Sequence, residues 1–167
     1  MWRVILEREE LYSRIVSVVR SFFGSELEAV IVFGSYIYMG GGRDIDLIIV
    51  VKEKPTKNKI ELEYKIKRLL EDSIPGAVFD IHILSIDEFR DNLSPGTVLA
   101  GLALGYEAIF GENLVEPLIL DFLEKLTSER YVLHNRYGSW SIAHHAKLLL
   151  KIKKKHEEEK TPIGNCS

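Results

Sequence analysis

A mixed β-sheet flanked by helices, of the α/β (α+β) class, is the fold expected of this 167-residue chain. Three observations lead there. The stretches 27–33 and 44–51 are nearly continuous runs of Val, Ile, Leu and Phe, the pattern of strands covered on both faces. The stretch 77–84, A-V-F-D-I-H-I-L, repeats that content. Between these runs lie longer segments whose apolar residues recur every three or four positions, as on an amphipathic helix.

Each element follows from its residues. Leu11, Ile15, Val18 and Phe22 place a helix over about 7–23, ended by Gly24-Ser25. The first strand runs to Phe33, and Gly34-Ser35 opens a turn of helix or loop. The second strand starts at Asp44 and closes at the polar run Lys52-Glu53-Lys54-Pro55. Leu62, Ile66 and Leu69 predict a helix over 57–72, stopped by Pro75-Gly76. After the third strand, Ser85-Ile86-Asp87-Glu88 has the S-x-x-E form of a capping box and starts a short helix that ends at Ser94-Pro95-Gly96. Positions 97–105 read as helical and 107–110 as an edge strand before Gly111. The order to that point is α-β-α-β-α-β-α-α-β.

From Asn113 the pattern becomes purely helical. Ile119, Phe122, Leu123 and Leu126 predict one helix reaching about Asn135; Gly138-Ser139 breaks it; Trp140 to about Lys160 predicts a second, with Ile142, Ala146, Leu149 and Leu150 on one face. The domain reading is therefore 1–112, a C-terminal helical hairpin over 113–160, and a disordered tail over 161–167. Two helices cannot enclose a core, so this appendage must dock on the 1–112 domain, pair with a second copy as a homodimer, or meet a partner as a heteromer.

Composition excludes several classes. A formal charge of −3 gives no support to binding nucleic-acid polymers. One cysteine, Cys166, excludes an internal disulfide and a thiolate metal cluster. Residues 1–20 mix charge and hydrophobe as no secretory signal does, and the longest uncharged apolar stretch, 98–106, is too short to cross a bilayer. A cytoplasmic protein with no membrane association is the expectation.

The chemistry gathers between 31 and 51. Asp44 and Asp46 are two apart on a strand and project to one face. Carboxylates are costly beside Leu47-Ile48-Ile49-Val50-Val51, and a divalent cation offsets that cost because two oxygen donors make a hard-cation site. Gly34 lets the backbone approach a ligand closely, and Ser35 adds a hydroxyl and an N–H suited to a phosphate oxygen. Asp80 sits mid-strand among Val78, Phe79, Ile81 and Ile83. If the third strand lies beside the second, Asp80 completes a carboxylate triad able to hold two Mg²⁺ ions about 4 Å apart and so clamp an in-line phosphoryl displacement.

Gly34-Ser35, then Asp44-Ile45-Asp46-Leu47, then Asp80 on a later strand make the sequence resemble the DNA polymerase beta-like nucleotidyltransferase superfamily, and within it the minimal nucleotidyltransferases. The resemblance covers about 1–112. It implies a nucleotidyltransferase-like fold, an ATP or other nucleoside triphosphate substrate with Mg²⁺, and transfer of the nucleoside monophosphate with release of pyrophosphate. By that resemblance Asp44 and Asp46 ligate both metals, and Asp80 ligates the catalytic metal and helps take the acceptor's proton. Gly34 and Ser35 hold the triphosphate. Eight residues separate Ser35 from Asp44, a shorter loop than in many relatives. Where those relatives carry Ala-Arg-Gly after the serine, this chain has Tyr38-Met39-Gly40, and Arg43 is the substitute cation. The resemblance also implies an antitoxin role, adenylylating a HEPN-type protein partner, or else a small-molecule acceptor. The alternative is a catalytically weak or inactive binding module that grips a protein through its C-terminal helices.

Other features have plainer readings. His82 shares a face with Asp80 and reads as a packed histidine. His144 and His145 are adjacent on a helix, about 100° apart, which suits a surface or interface better than a metal. Lys151 to Lys155 followed by Glu157-Glu158-Glu159 reads as a solvated helix end. Arg130, His134, Arg136 and His144 do not have the R-x(4–6)-H spacing of HEPN ribonucleases. Tyr131, Tyr137 and Trp140 read as packing anchors.

Overall fold

The structure is a computed structural model that describes residues 7–41, 44–55 and 58–160. Its first helix, α1 (Arg8–Phe23), buries Leu11, Ile15 and Val19. Strand β1 (Leu27–Phe33) follows, then the single helical turn α2 (Ser35–Tyr38) and strand β2 (Asp44–Val51). Helix α3 (Lys59–Ser73) is capped by the Asn58 side chain, which accepts from the Ile60 N–H. The expected onset at 57 lies outside the described residues. Strand β3 (Val78–Ser85) leads into α4 (Ile86–Asn92), where the capping box forms in full. Ser85 Oγ accepts from the Glu88 N–H at 3.1 Å, and Glu88 accepts from the Ser85 N–H at 3.0 Å. Positions 98–104 wind as a 3-10 helix rather than an α-helix, and β4 (Tyr106–Phe110) completes the sheet.

The four strands lie in the order β3-β2-β1-β4. β1 is antiparallel to β2 and β4, whereas β2 and β3 run parallel, so the sheet is mixed. Side-chain alternation sorts the strands into two apolar layers. Val30, Val32, Leu47, Ile49, Ile81 and Ile83 face α1 and α3. Ala29, Ile31, Phe33, Ile48, Val50 and Leu84 face the opposite way. The helices on each face close these layers off from water, worth about 25 cal/mol per Å² of apolar surface removed.

The C-terminal segment departs from the expected pair of helices. Helix α5 (Glu112–Leu126) ends nine residues early, where the Thr127 and Ser128 hydroxyls donate to the carbonyls of Glu124 and Lys125. Asn135 as a helix end and Trp140 as a helix start are both replaced by a β-hairpin, β5 (Val132–Asn135) and β6 (Gly138–Ser141). Helix α6 (Ile142–Lys160) follows. Docking on the sheet is the arrangement adopted. Val115, Ile119, Phe122 and Leu123 of α5 and Ile142, Ala146 and Leu150 of α6 join the layer containing Ile31, Phe33 and Ile48. The tail over 161–167 lies outside the described residues. Among the described residues no helix is long and apolar enough to cross a membrane.

Candidate active site

The parallel pairing of β2 with β3 places the acidic side chains together. Asp46 is the register partner of Asp80, and Asp44 that of Val78, so all three carboxylates leave one face at the start of the two strands. Four residues further along, the same face is covered by α5 and α6 through Ile48, Val50 and Leu84. The carboxylates thus sit where the strands emerge from that cover. Asp80 is exposed, and Asp44 and Asp46 are partly buried.

The turn after β1 is shaped around Asp46. Gly34 adopts φ 76° and ψ −158°, and its carbonyl accepts from the N–H groups of Ile37 and Tyr38 to start α2. A Cβ at this position would lie 2.8 Å from the Asp46 carboxyl carbon and closer still to Oδ2. The carboxylate therefore occupies the space that glycine leaves open. Ser35, the first residue of α2, is buried. Arg43 lies outside the described residues.

Electrostatics at the site are unbalanced. Burial, and then the neighbouring Asp80 carboxylate, push the Asp46 carboxyl up to about 6. Asp44 adds to the rise, while His82 and Arg136 oppose it. His82 is half-buried with its ring 6.2 Å from that of Phe33, a packed histidine that still influences the site.

Sequence reasoning missed the cation that the structure brings in. Arg136, at the turn between β5 and β6, places Nη2 3.3 Å from Asp44 Oδ2, across 92 residues of chain. Asn135 organises this turn: its Oδ1 accepts from the Tyr137 N–H and from Trp140 Nε1, and its Nδ2 donates to the Tyr38 hydroxyl at 3.1 Å. Trp140 meets the Tyr38 ring edge-on at 5.2 Å, with His145 packed behind it at 5.5 Å. Tyr131 and Trp140 do act as packing anchors. Tyr137 does not: it is exposed and lies against the Arg136 guanidinium, 4.9 Å from its ring centre. The signal that could have revealed the hairpin is turn chemistry, since V-L-H-N and G-S-W-S flank Arg136-Tyr137 with Asn and Gly at the corners.

By donor chemistry the three carboxylates suit a hard divalent cation, which would offset both the burial of the Asp46 carboxylate and its repulsion by Asp80. As the side chains stand, no group of three or more His, Cys, Asp or Glu among the described residues is gathered for metal ligation. Asp44 is engaged by Arg136 instead.

No protein-family model and no curated protein matches the sequence. Among solved structures, the chain is similar to one in a complex of tri-AMPylated Shewanella oneidensis HEPN toxin with MNT antitoxin. The TM-score is 0.47 at 13% identity, over 93% of this chain and 100% of that one. It is also similar to a toxin-antitoxin structure with AMP-PNP, with a TM-score of 0.44 and 17% identity over 71% and 91% of the two chains. A third is the spectinomycin adenyltransferase AAD(9) from Enterococcus faecialis with ATP and spectinomycin, at 0.43 and 15%, over 74% and 68%. These are distant likenesses in chain path.

Proposed function

We propose that this protein is a metal-dependent nucleotidyltransferase that moves a nucleoside monophosphate, AMP from ATP, onto a hydroxyl of a protein or small molecule. The observation that carries the reading is the register pairing of Asp46 with Asp80, with Asp44 two residues away on the same face and the Gly34-Ser35 turn against Asp46. The half-buried Asp46 carboxylate costs stability at the edge of an apolar sheet, and a phosphoryl-transfer site gives that cost a purpose.

Asp44, Asp46 and Asp80 would hold the metal, which when bound supplies charge neutralisation along the phosphate chain. Gly34 and Ser35 position the triphosphate through backbone N–H groups and the Ser35 hydroxyl. Asp80, the most exposed of the three, accepts the acceptor's proton. The acceptor oxygen bonds to the α-phosphorus, and the bond to the bridging oxygen breaks. Pyrophosphate leaves with that electron pair. The chain's contribution is mostly alignment and charge, which is why few residues carry it. A HEPN-type partner is the candidate protein acceptor, with this chain acting as its antitoxin; the motif resemblance supports that choice.

The test is incubation with α-labelled ATP and Mg²⁺, alongside calorimetric titration of the nucleotide. Wild type should bind ATP in a Mg²⁺-dependent way and transfer label to its acceptor, and the Asp44→Ala/Asp46→Ala variant should do neither. If wild type shows no metal-dependent ATP binding, the reading is wrong.

A second reading has its own observation. Asp44 is already paired with Arg136, as in a site retired to a structural role. The protein would then act as a binding module through α5 and α6. Replacing all three aspartates by alanine would leave partner binding and biological effect intact, and loss of the effect with binding preserved would exclude it.

A further inference from the structure

We propose that Arg136 is the polyphosphate-binding cation of this site, delivered by the β5–β6 turn and held against Asp44 until phosphate oxygens take Asp44's place. The inference rests on the nucleotidyltransferase reading and adds a substrate-positioning residue that the Gly-Ser and Asp-x-Asp pattern does not contain.

Four observations converge on it. The pairing with Asp44 is long, at 3.3 Å, and engages Nη2; the Arg136 side chain stays 65% exposed. A guanidinium has five N–H donors, so most of its bonding capacity is left for another anion. Exposed ion pairs of this kind contribute little and exchange readily, whereas Arg with a phosphate forms a charge-assisted, often bidentate contact. The turn is also built to fix where Arg136 stands. Asn135 ties the corner to Tyr38, and Trp140 packs on the same tyrosine. Tyr38 is the last residue of α2, the helical turn that Ser35 begins. The same few residues therefore set the distance between the Gly34-Ser35 turn and the guanidinium. Finally, Tyr137 lies against the guanidinium and supports its side chain at the site.

The exchange has a simple electrostatic logic. Without nucleotide, Arg136 offsets part of the negative charge that Asp44, Asp46 and Asp80 concentrate on one face. With nucleotide, it turns to the β- and γ-phosphates, and the Asp44 carboxylate becomes available as an oxygen donor. One side chain so neutralises the carboxylates in one state and the polyphosphate in the other.

Calorimetric titration of the full chain with ATP, ADP, AMP and adenosine, each with Mg²⁺, tests this in wild type, Arg136→Ala and Arg136→Lys. Arg136→Ala should weaken ATP binding by roughly 10- to 100-fold, the loss of one charged hydrogen-bonded contact. The loss should shrink for ADP and vanish for adenosine, and Arg136→Lys should recover part of it. Its Tm should stay close to wild type, because the residue is exposed. Equal ATP affinity in wild type and Arg136→Ala overturns the inference and leaves the nucleotidyltransferase reading standing. An equal loss for ATP and adenosine also overturns it, since that is the signature of a displaced hairpin. Failure of wild type to bind any nucleotide overturns both.

Discussion

The carboxylate of Asp46 fills the space that a side chain on residue 34 would need. Gly34 is therefore required twice, for its positive φ and for its lack of a Cβ. Gly34→Ala should lower stability by about 1–2 kcal/mol from the left-handed backbone alone, and push Asp46 away from the turn. Thermal melts should show the loss, and Mg²⁺-dependent ATP binding should fall with it. Adding Asp46→Ala to Gly34→Ala should recover part of the stability and none of the binding. A Gly34→Ala protein with wild-type Tm and affinity would refute the close approach.

Asp46 makes stability depend on pH in a direction opposite to most carboxylates. Its folded carboxyl titrates at about 6, above the ordinary 3.8. The native state therefore holds this proton more tightly than the unfolded chain does between those values, and stability falls as pH rises through that window. In buffer free of divalent cations, Asp46→Asn should be more stable than wild type by about 1–2 kcal/mol at pH 8, allowing for solvent screening of a half-buried group. The difference should shrink toward nothing by pH 4. Urea denaturation at both pH values measures it, and a destabilised Asp46→Asn at pH 8 would contradict the geometry.

Asp80 is exposed, so its replacement separates chemistry from folding. Asp80→Asn should leave Tm within about a degree of wild type, as surface substitutions usually do. Label transfer should fall by at least about 10²-fold, the usual contribution of a positioned base. Retained transfer would remove Asp80 from the mechanism.

Asn135 holds the hairpin corner by bonds to Tyr38, Tyr137 and Trp140. Asn135→Ala should cost about 1 kcal/mol of stability and speed hydrogen exchange over residues 132–141. If Arg136 depends on that corner, ATP affinity should also fall, though by less than in Arg136→Ala. Unchanged exchange across the hairpin would mean that its strands hold the corner without Asn135.

The helix start at Ser85 offers a control remote from nucleotide chemistry. Ser85→Ala removes one half of the capping box and should cost about 1 kcal/mol. Denaturant midpoints should fall while ATP binding is unchanged.

Sequence alone determined the parts governed by local periodicity and local polar chemistry. The strands around Ile31, Ile48 and Ile83, the helices over Ile15 and Ile66, and the Ser85–Glu88 box are written in residues close along the chain. Asp44 and Asp46 share a face because strand alternation demands it. What required tertiary structure was everything decided between distant segments. Only the parallel β2–β3 register brings Asp80 beside Asp46, and only docking of α5 and α6 shows which strand ends stay uncovered. The strands at 132–135 and 138–141 pass in sequence for the ends of the flanking helices because four-residue strands carry too little periodicity to compete with them. Arg136 could not be assigned to Asp44 for the same reason: an ion pair across 92 residues has no local pattern, and it exists because the chain folds back on itself.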